Sequence, residues 1–218
     1  MTTDYKTGDI ATLQTLEAAD VPRFSFAGQL RVAKCARVHD GDTITAIIAF
    51  GMGFGNPFCH VQVRFAACDT AELHGGGPAE TAAAEQTRDH VAGLIGGKLV
   101  LLRCYDFDKY GRILADVWPV AAEELPRSLD QQGQYVLEQL LLRPSGFDLT
   151  ARLAPLLQRA PLNKQLVAEG WAYSYSGRTK SKFEDWAAAS PVFGAGSSAP
   201  ALVQALAAAE KKPRQKKL

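Results

Sequence analysis

The chain has 218 residues, 47% hydrophobic and 22% charged, with a net charge of +1. That length and balance fit one large domain with additions, able to bury a core without disulfide staples. They exclude collagen-like, low-complexity and wholly disordered chains, and no run of about 18 apolar residues offers a membrane-spanning helix.

The first twenty residues, MTTDYKTGDIATLQTLEAAD, lack the basic-then-apolar order of a signal peptide. This predicts an intracellular protein, in cytoplasm, nucleus or a packaged particle. Ile10, Leu13 and Leu16 have weak helical spacing before Pro22, so 1–27 reads as an N-terminal extension. Three apolar, β-branched runs follow at 30–38, 43–50 and 58–67. The first two flank His39-Asp40-Gly41-Asp42, and an Asp-Gly pair in that setting signals a hairpin. The second connection, 51–57, is longer and glycine-rich. In the third run Val61, Val63 and Phe65 share an apolar face, while His60, Gln62 and Arg64 share a polar one.

Glycines 75–77 and Pro78 break the chain, and 79–95 reads as a helix with Ala83, Thr87, Val91, Leu94 and Ile95 on one face. Gly96-Gly97 ends it. Two more strands are expected at 98–104 and 112–118, joined by 105–111. Five strands with a helix between the third and fourth suit a small closed barrel better than a parallel βαβ sheet. Residues 120–160 read as a helical insertion, with apolar spacing at 129–142 and 149–157. A helix at 162–169 ends at Gly170, an aromatic extended segment covers 171–175, and further helices are expected at 181–189 and 201–210. The expected fold class is α+β with a mainly β core. The domain spans 28–190, and 191–218 holds a linker, a short helix and a basic tail.

The tail, KKPRQKKL, holds five Lys/Arg; without it 19 basic face 23 acidic side chains, a net of −4. The body is therefore not a polycation that coats nucleic acid, and phosphate recognition falls to a few placed side chains. The tail reads as a nucleic-acid arm, a nuclear-import signal or a solvated end. The four cysteines, 35, 59, 68 and 104, form no CxxC pair and are expected as free thiols. Cys59 and His60 are strand neighbours facing opposite ways, a poor zinc chelate.

Four clusters carry potential chemistry: Asp40-Gly41-Asp42-Thr43; Arg64 with Asp69-Thr70-Ala71-Glu72; Asp108-Lys109-Tyr110-Gly111-Arg112; and Tyr173 with Tyr175. Asp42 and Asp69 are hard oxygen donors of the kind calcium takes, with carbonyl and water completing an open shell. Glu72, three residues past Asp69, can face the same site and take a proton from water. Arg64 and Arg112 come from different strands and can direct two guanidinium forks at one phosphate. Lys109 and Tyr110 add a charge and a hydroxyl for a neighbouring phosphate, and the two tyrosine rings can stack a base. Taken singly, each cluster has a plain structural reading: a hairpin turn, a helix start, a polar loop, an apolar cover.

Over VHDGDTITAII, VRFAACDTAE, DKYGRILADVW and LNKQLVAEGWAYSY, roughly residues 30–118 and 162–186, the chain resembles the staphylococcal nuclease (thermonuclease) family. The resemblance implies a five-stranded OB-fold barrel with packed helices. It implies Ca2+-dependent endonuclease hydrolysis of phosphodiester bonds in DNA and/or RNA, leaving 3′-phosphate products. It places Asp42, Asp69 and the Thr70 carbonyl on the metal, with Asp40 in support. Glu72 becomes the general base, and Arg64 and Arg112 hold the phosphate. Lys109 and Tyr110 meet a neighbouring phosphate, and Tyr173 and Tyr175 contact the nucleotide. The chain departs from the family pattern at Ala71, where proline is usual, and in the 120–160 insertion, which replaces a short turn and offers a protein-partner surface. An intracellular calcium enzyme is a further departure, since free cytosolic calcium is scarce. The competing expectation is a nucleic-acid-binding or scaffold protein built on the same domain with little activity. No membrane partner is expected.

Overall fold

The computed structural model describes residues 7–49, 58–74, 77–121, 124, 149–177 and 182–194. Five strands close into a barrel: β1 (Leu30–Asp40), β2 (Thr43–Ala49), β3 (Phe58–Phe65), β5 (Leu99–Phe107) and β6 (Ile113–Val120). Their order round the barrel is β1-β2-β3-β6-β5, with β1 also paired to β5. All neighbours are antiparallel except β3 and β6, which run parallel through Val63↔Ile113, Arg64↔Leu114 and Phe65↔Ala115. A two-residue strand, β4 (Cys68–Asp69), pairs with β7 (Tyr173–Ser174) beside the barrel. The fold is α+β with an OB-like five-stranded barrel, as the strand and helix pattern predicts.

The barrel fills itself from the alternate residues that the period of two turns inward. Ala33, Cys35, Ile44, Ala46, Ile48, Val63, Phe65, Val100, Leu102, Cys104, Ala115 and Val117 make one buried cluster. Helix α2 (Pro78–Ile95) adds Val91 and Ile95 to it. Pro at the helix's first position costs nothing there, since that N–H has no partner within the helix. The last turn places Ile95 in the core and leaves Leu94 at the rim, 37% exposed, so the expected apolar face ends one residue narrower. The outer face of β5–β6 is apolar too. Leu101 and Trp118 are covered by Leu153 and Leu156 of α3 (Leu149–Gln158). Trp118 Nε1 donates to the Arg159 carbonyl at 2.8 Å.

Helix α4 (Leu162–Glu169) buries Leu162 and Leu166 against the barrel. Helix α5 (Phe183–Ala189) packs Ala187 with Phe193, Ala71, Ala83 and Ala84 in a separate small core. Helix α1 (Thr7–Thr15) stands where helical spacing was expected, with Ile10 and Leu13 exposed. Phe26 is buried in the barrel core, beside Phe24 and Phe107. Strands β5 and β6 run to Phe107 and Val120, two to three residues past their expected ends. The four cysteines are free, and burial pushes the Cys104 thiol up to about 11 and Cys68 to about 12. The expected connection at 51–57, the helices at 129–142 and 201–210, most of the 120–160 insertion and the basic tail lie outside the described residues. No described helix is long and apolar enough to cross a membrane.

Gly170 ends α4 in a left-handed conformation, φ 88°, with its N–H on the Leu166 and Val167 carbonyls. A Cβ there would lie 2.4 Å from Pro191 Cδ. The left-handed conformation alone costs an alanine roughly 1–2 kcal/mol, and the proline ring cannot swing aside. Gly170→Ala is expected to lose more than that amount in urea unfolding. An unchanged midpoint would contradict this account of the α4 terminus.

Candidate active site

The β1–β2 hairpin turns on Gly41-Asp42, with Asp40 paired to Thr43 across it. Asp40 Oδ1 accepts the Asp42 N–H at 3.2 Å and so shapes the turn. Burial raises the Asp40 pKa, against the opposing pull of Arg64, Thr43 and Arg112. A Cβ on Gly41 would meet Thr87 Cγ2 at 2.5 Å and Thr70 Cγ2 at 2.8 Å. Glycine therefore lets the turn press against α2 and the residue after β4 together, and that contact puts Thr70 beside Asp42. The Asp42 carbonyl accepts the Phe65 N–H at 2.8 Å, which ties the turn to the end of β3.

A second reversal brings Asp69 to the same place. Ala67 takes φ 58°, a left-handed conformation unusual for alanine. The surrounding backbone holds it: Ala66 N–H donates to Ala115, and Tyr175 N–H donates to the Ala67 carbonyl at 3.1 Å. Asn163 on α4, fully buried, donates from Nδ2 to the Ala66 carbonyl and to Asp116 Oδ1, both at 2.8 Å. The chain then enters β4, where Asp69 pairs with Tyr173.

Asp42 and Asp69 are the two buried carboxylates of this site, with side chains 2% exposed. Both face Arg64. Its Nη1 pairs with Asp42 Oδ1 and its Nη2 with Asp69 Oδ1, and Nη2 also reaches the Cys68 carbonyl at 3.3 Å. Neutral hydroxyls complete the set. Thr43 donates to Asp42 Oδ1 at 2.9 Å, Thr70 to Asp42 Oδ2 at 3.3 Å, and Tyr173 to Asp69 Oδ2 at 2.7 Å. The Tyr173 ring packs on Trp186, centroids 5.4 Å apart. Burial raises the Tyr173 pKa, and the hydrogen bond to Asp69 and the charges of Asp69 and Glu72 add to the rise. Its hydroxyl thus stays protonated and a donor. This turns the Tyr173 hydroxyl toward Asp69, a contact that the spacing of the two tyrosines did not announce.

The β5–β6 connection is organised by Asp108. Its Oδ1 accepts the N–H groups of Tyr110 and Arg112 at 2.8 and 2.9 Å, and its Oδ2 accepts Arg112 Nε at 2.6 Å. Burial works to raise the Asp108 pKa, but these donors outweigh it and hold the carboxyl below its usual value. Arg112, so held, reaches Thr43 Oγ1 with Nη1 at 3.5 Å. The Tyr110 ring, 71% exposed, lies under Lys109 Nζ at 4.9 Å and the Arg112 guanidinium at 5.3 Å.

The structure therefore gathers Asp42, Asp69, Thr70, Arg64 and Tyr173, supports them with Asp40, and joins Arg112, Lys109 and Tyr110 through Thr43. Glu72 is exposed just past Asp69, with its N–H on Glu80 Oε1 at 3.3 Å and its charge felt at Tyr173. Tyr175 is half-buried and contributes its backbone to the Ala67 turn. Among the described residues no three His, Cys, Asp or Glu side chains form a metal-binding group. Asp42 and Asp69 are the pair able to hold a hard cation. Asp108, Thr43 and Asn163 had no assigned role in the sequence. An Asx turn over Asp-x-x-Gly was a usable signal for Asp108; nothing local marks the other two. Comparison with protein-family models finds no match, and comparison with curated proteins finds none.

Tyr173→Phe keeps the ring and removes a donor to a buried carboxylate. Hydrogen bonds to charged groups contribute about 1.5–3 kcal/mol, so a loss of that order is expected in chemical denaturation. No loss would show that Asp69 does not depend on the hydroxyl. Asp108 yields a pH prediction. A carboxyl with a lowered folded pKa contributes stability that is present above the unfolded value, about 3.9, and lost as pH falls through the folded value. The Tyr110 and Arg112 amide resonances are expected to shift in one acid transition below that value. Asp108→Asn should abolish it; an unchanged transition in the variant would refute the assignment.

Proposed function

We propose that the chain is a metal-dependent phosphodiester hydrolase of nuclease type, acting on DNA and/or RNA with Ca2+ as cofactor and releasing 3′-phosphate ends. One observation carries the reading. Two buried carboxylates, Asp42 and Asp69, converge on Arg64, and Arg112 reaches the same cluster through the Thr43 hydroxyl. The resemblance to the staphylococcal nuclease family supports it through the same residues, as does the exposed Lys109–Tyr110–Arg112 group at the rim.

The donor set suits the cofactor. Two hard-oxygen carboxylates already converge on one cationic group, as a calcium site with carbonyl and water ligands requires. Asp42, Asp69 and the Thr70 carbonyl would hold the ion, with Asp40 shaping the turn beneath. When bound, calcium supplies Lewis-acid polarisation of a phosphate oxygen. Glu72 accepts a proton from the attacking water. Arg64 and Arg112 bind the phosphate and neutralise the charge that develops on its oxygens. Asp108 fixes the direction of Arg112, and Lys109 and Tyr110 hold the next phosphate. Tyr175 offers a half-buried ring toward a base.

The second reading is a nucleic-acid-binding or scaffold module with little activity. The neutralisation of Asp42 and Asp69 by Arg64 favours it, because the carboxylates are satisfied without a metal. Cleavage of fluorescent DNA and RNA in Ca2+, Mg2+ and EGTA separates the two. Cleavage in Ca2+, lost in EGTA, is expected. Glu72→Gln, on an exposed side chain, should fold normally and lose roughly 10²–10⁴-fold in rate, the range for removing a general base. Binding without cleavage in any metal would decide for the binding module.

A further inference from the structure

Arg64 holds the place that a metal ion would take. Its Nη1 and Nη2 occupy one oxygen each of Asp42 and Asp69. The other oxygen of each carboxylate accepts a hydroxyl, from Thr70 at 3.3 Å and Tyr173 at 2.7 Å. Hydroxyls can rotate and offer a lone pair instead of a proton. The guanidinium does not deprotonate and lies between the two carboxylates, so its charge and its bulk oppose a second cation there. The Arg64 side chain is 12% exposed. Its flexible stem, rooted in β3, lets the guanidinium shift off the carboxylates while the backbone stays in place.

We infer, resting on the metal-dependent reading above, that Arg64 is an internal counter-ion exchanged for the divalent metal. In the metal-free protein it neutralises Asp42 and Asp69 and holds the two reversals together. A divalent ion binds only by displacing it, and the displaced guanidinium is then the fork that takes the phosphate group. Metal alone is opposed by the loss of two charge-assisted hydrogen bonds. Phosphate alone finds its arginine occupied. Each ligand removes the obstacle to the other, and by linkage the effect is equal in both directions. Arg112 touches neither carboxylate of the exchange: it is paired with Asp108, it meets the cluster at the Thr43 hydroxyl, and only its field reaches Asp40.

The test is calorimetric titration of Ca2+ into the full chain without nucleic acid, for the parent, Arg64→Met and Arg112→Met. Arg64→Met is expected to bind Ca2+ at least about tenfold more tightly than the parent, within the usual span of coupling between sites, and Arg112→Met to gain far less. Equal affinities in the parent and Arg64→Met would overturn the inference and leave the metal-dependent reading standing. No Ca2+ binding to either would overturn both. Binding to Arg64→Met alone would support the exchange in its strongest form. If Arg64→Met folds only in Ca2+, its thermal midpoint should rise steeply with the ion while that of the parent moves little; that too supports the exchange. The parent gives an independent measurement through the Arg64 Nη–H resonances. Saturating Ca2+ should accelerate their exchange with water, and adding a nucleoside 3′-phosphate should slow it again. An Arg64 signal equally protected before and after Ca2+ saturation would refute the exchange.

Discussion

Three residues of parallel pairing between β3 and β6 close the barrel, and the site depends on that closure. Parallel strands need a crossover; here it consists of β4, α2 and β5. That excursion places Asp69 and Thr70 beside the end of β3 and presses α2 against the Gly41 turn. It also returns β6 so that Arg112, just before its first residue, arrives next to Thr43. Without the parallel pairs Arg64 would lie on a strand edge, with Arg112 far from it.

Charge explains why the assembly holds. Two buried carboxylates brought together from two reversals repel one another, and removing the partner of a buried ion pair costs on the order of 3–5 kcal/mol. Arg64 resolves the conflict with one fork, reaching both acids and a backbone carbonyl, and three hydroxyls add further donors to the same carboxylates. A lysine has no such planar fork with which to bridge the two. The cluster still carries one excess negative charge, with Arg112 one hydroxyl away. Such a balance suits a site that takes up a cation and then an anion.

Helix α4 holds this chemistry at a distance. Leu162 and Leu166 anchor it in the barrel core, and Asn163 reaches under Ala66 to hold the reversal through Ala67. The helix ends at Gly170 so that Tyr173 can pair with Asp69 within four residues. One buried amide and one left-handed glycine thereby set where a carboxylate stands on another element.

Alternation of apolar residues in β1–β3, the Asp-Gly turn and the glycine stops round α2 and α4 were legible in the sequence, because they are local and periodic. So were the residue types of the site. Strand lengths were underestimated at β5 and β6, because both faces there are covered, by the barrel and by α3, and alternation disappears. The burial of Phe26 went unseen since one aromatic carries no period. Local pattern set the barrel strands, most helices, their order and the chemistry available on each, and an Asx turn could have marked Asp108 as the holder of Arg112. It took the closed barrel to show that Tyr173 serves Asp69, that Asn163 supports the Ala67 turn, and that Arg64 lies between two acids. Those contacts join residues up to about a hundred positions apart, and no local propensity encodes a distance that only barrel closure creates.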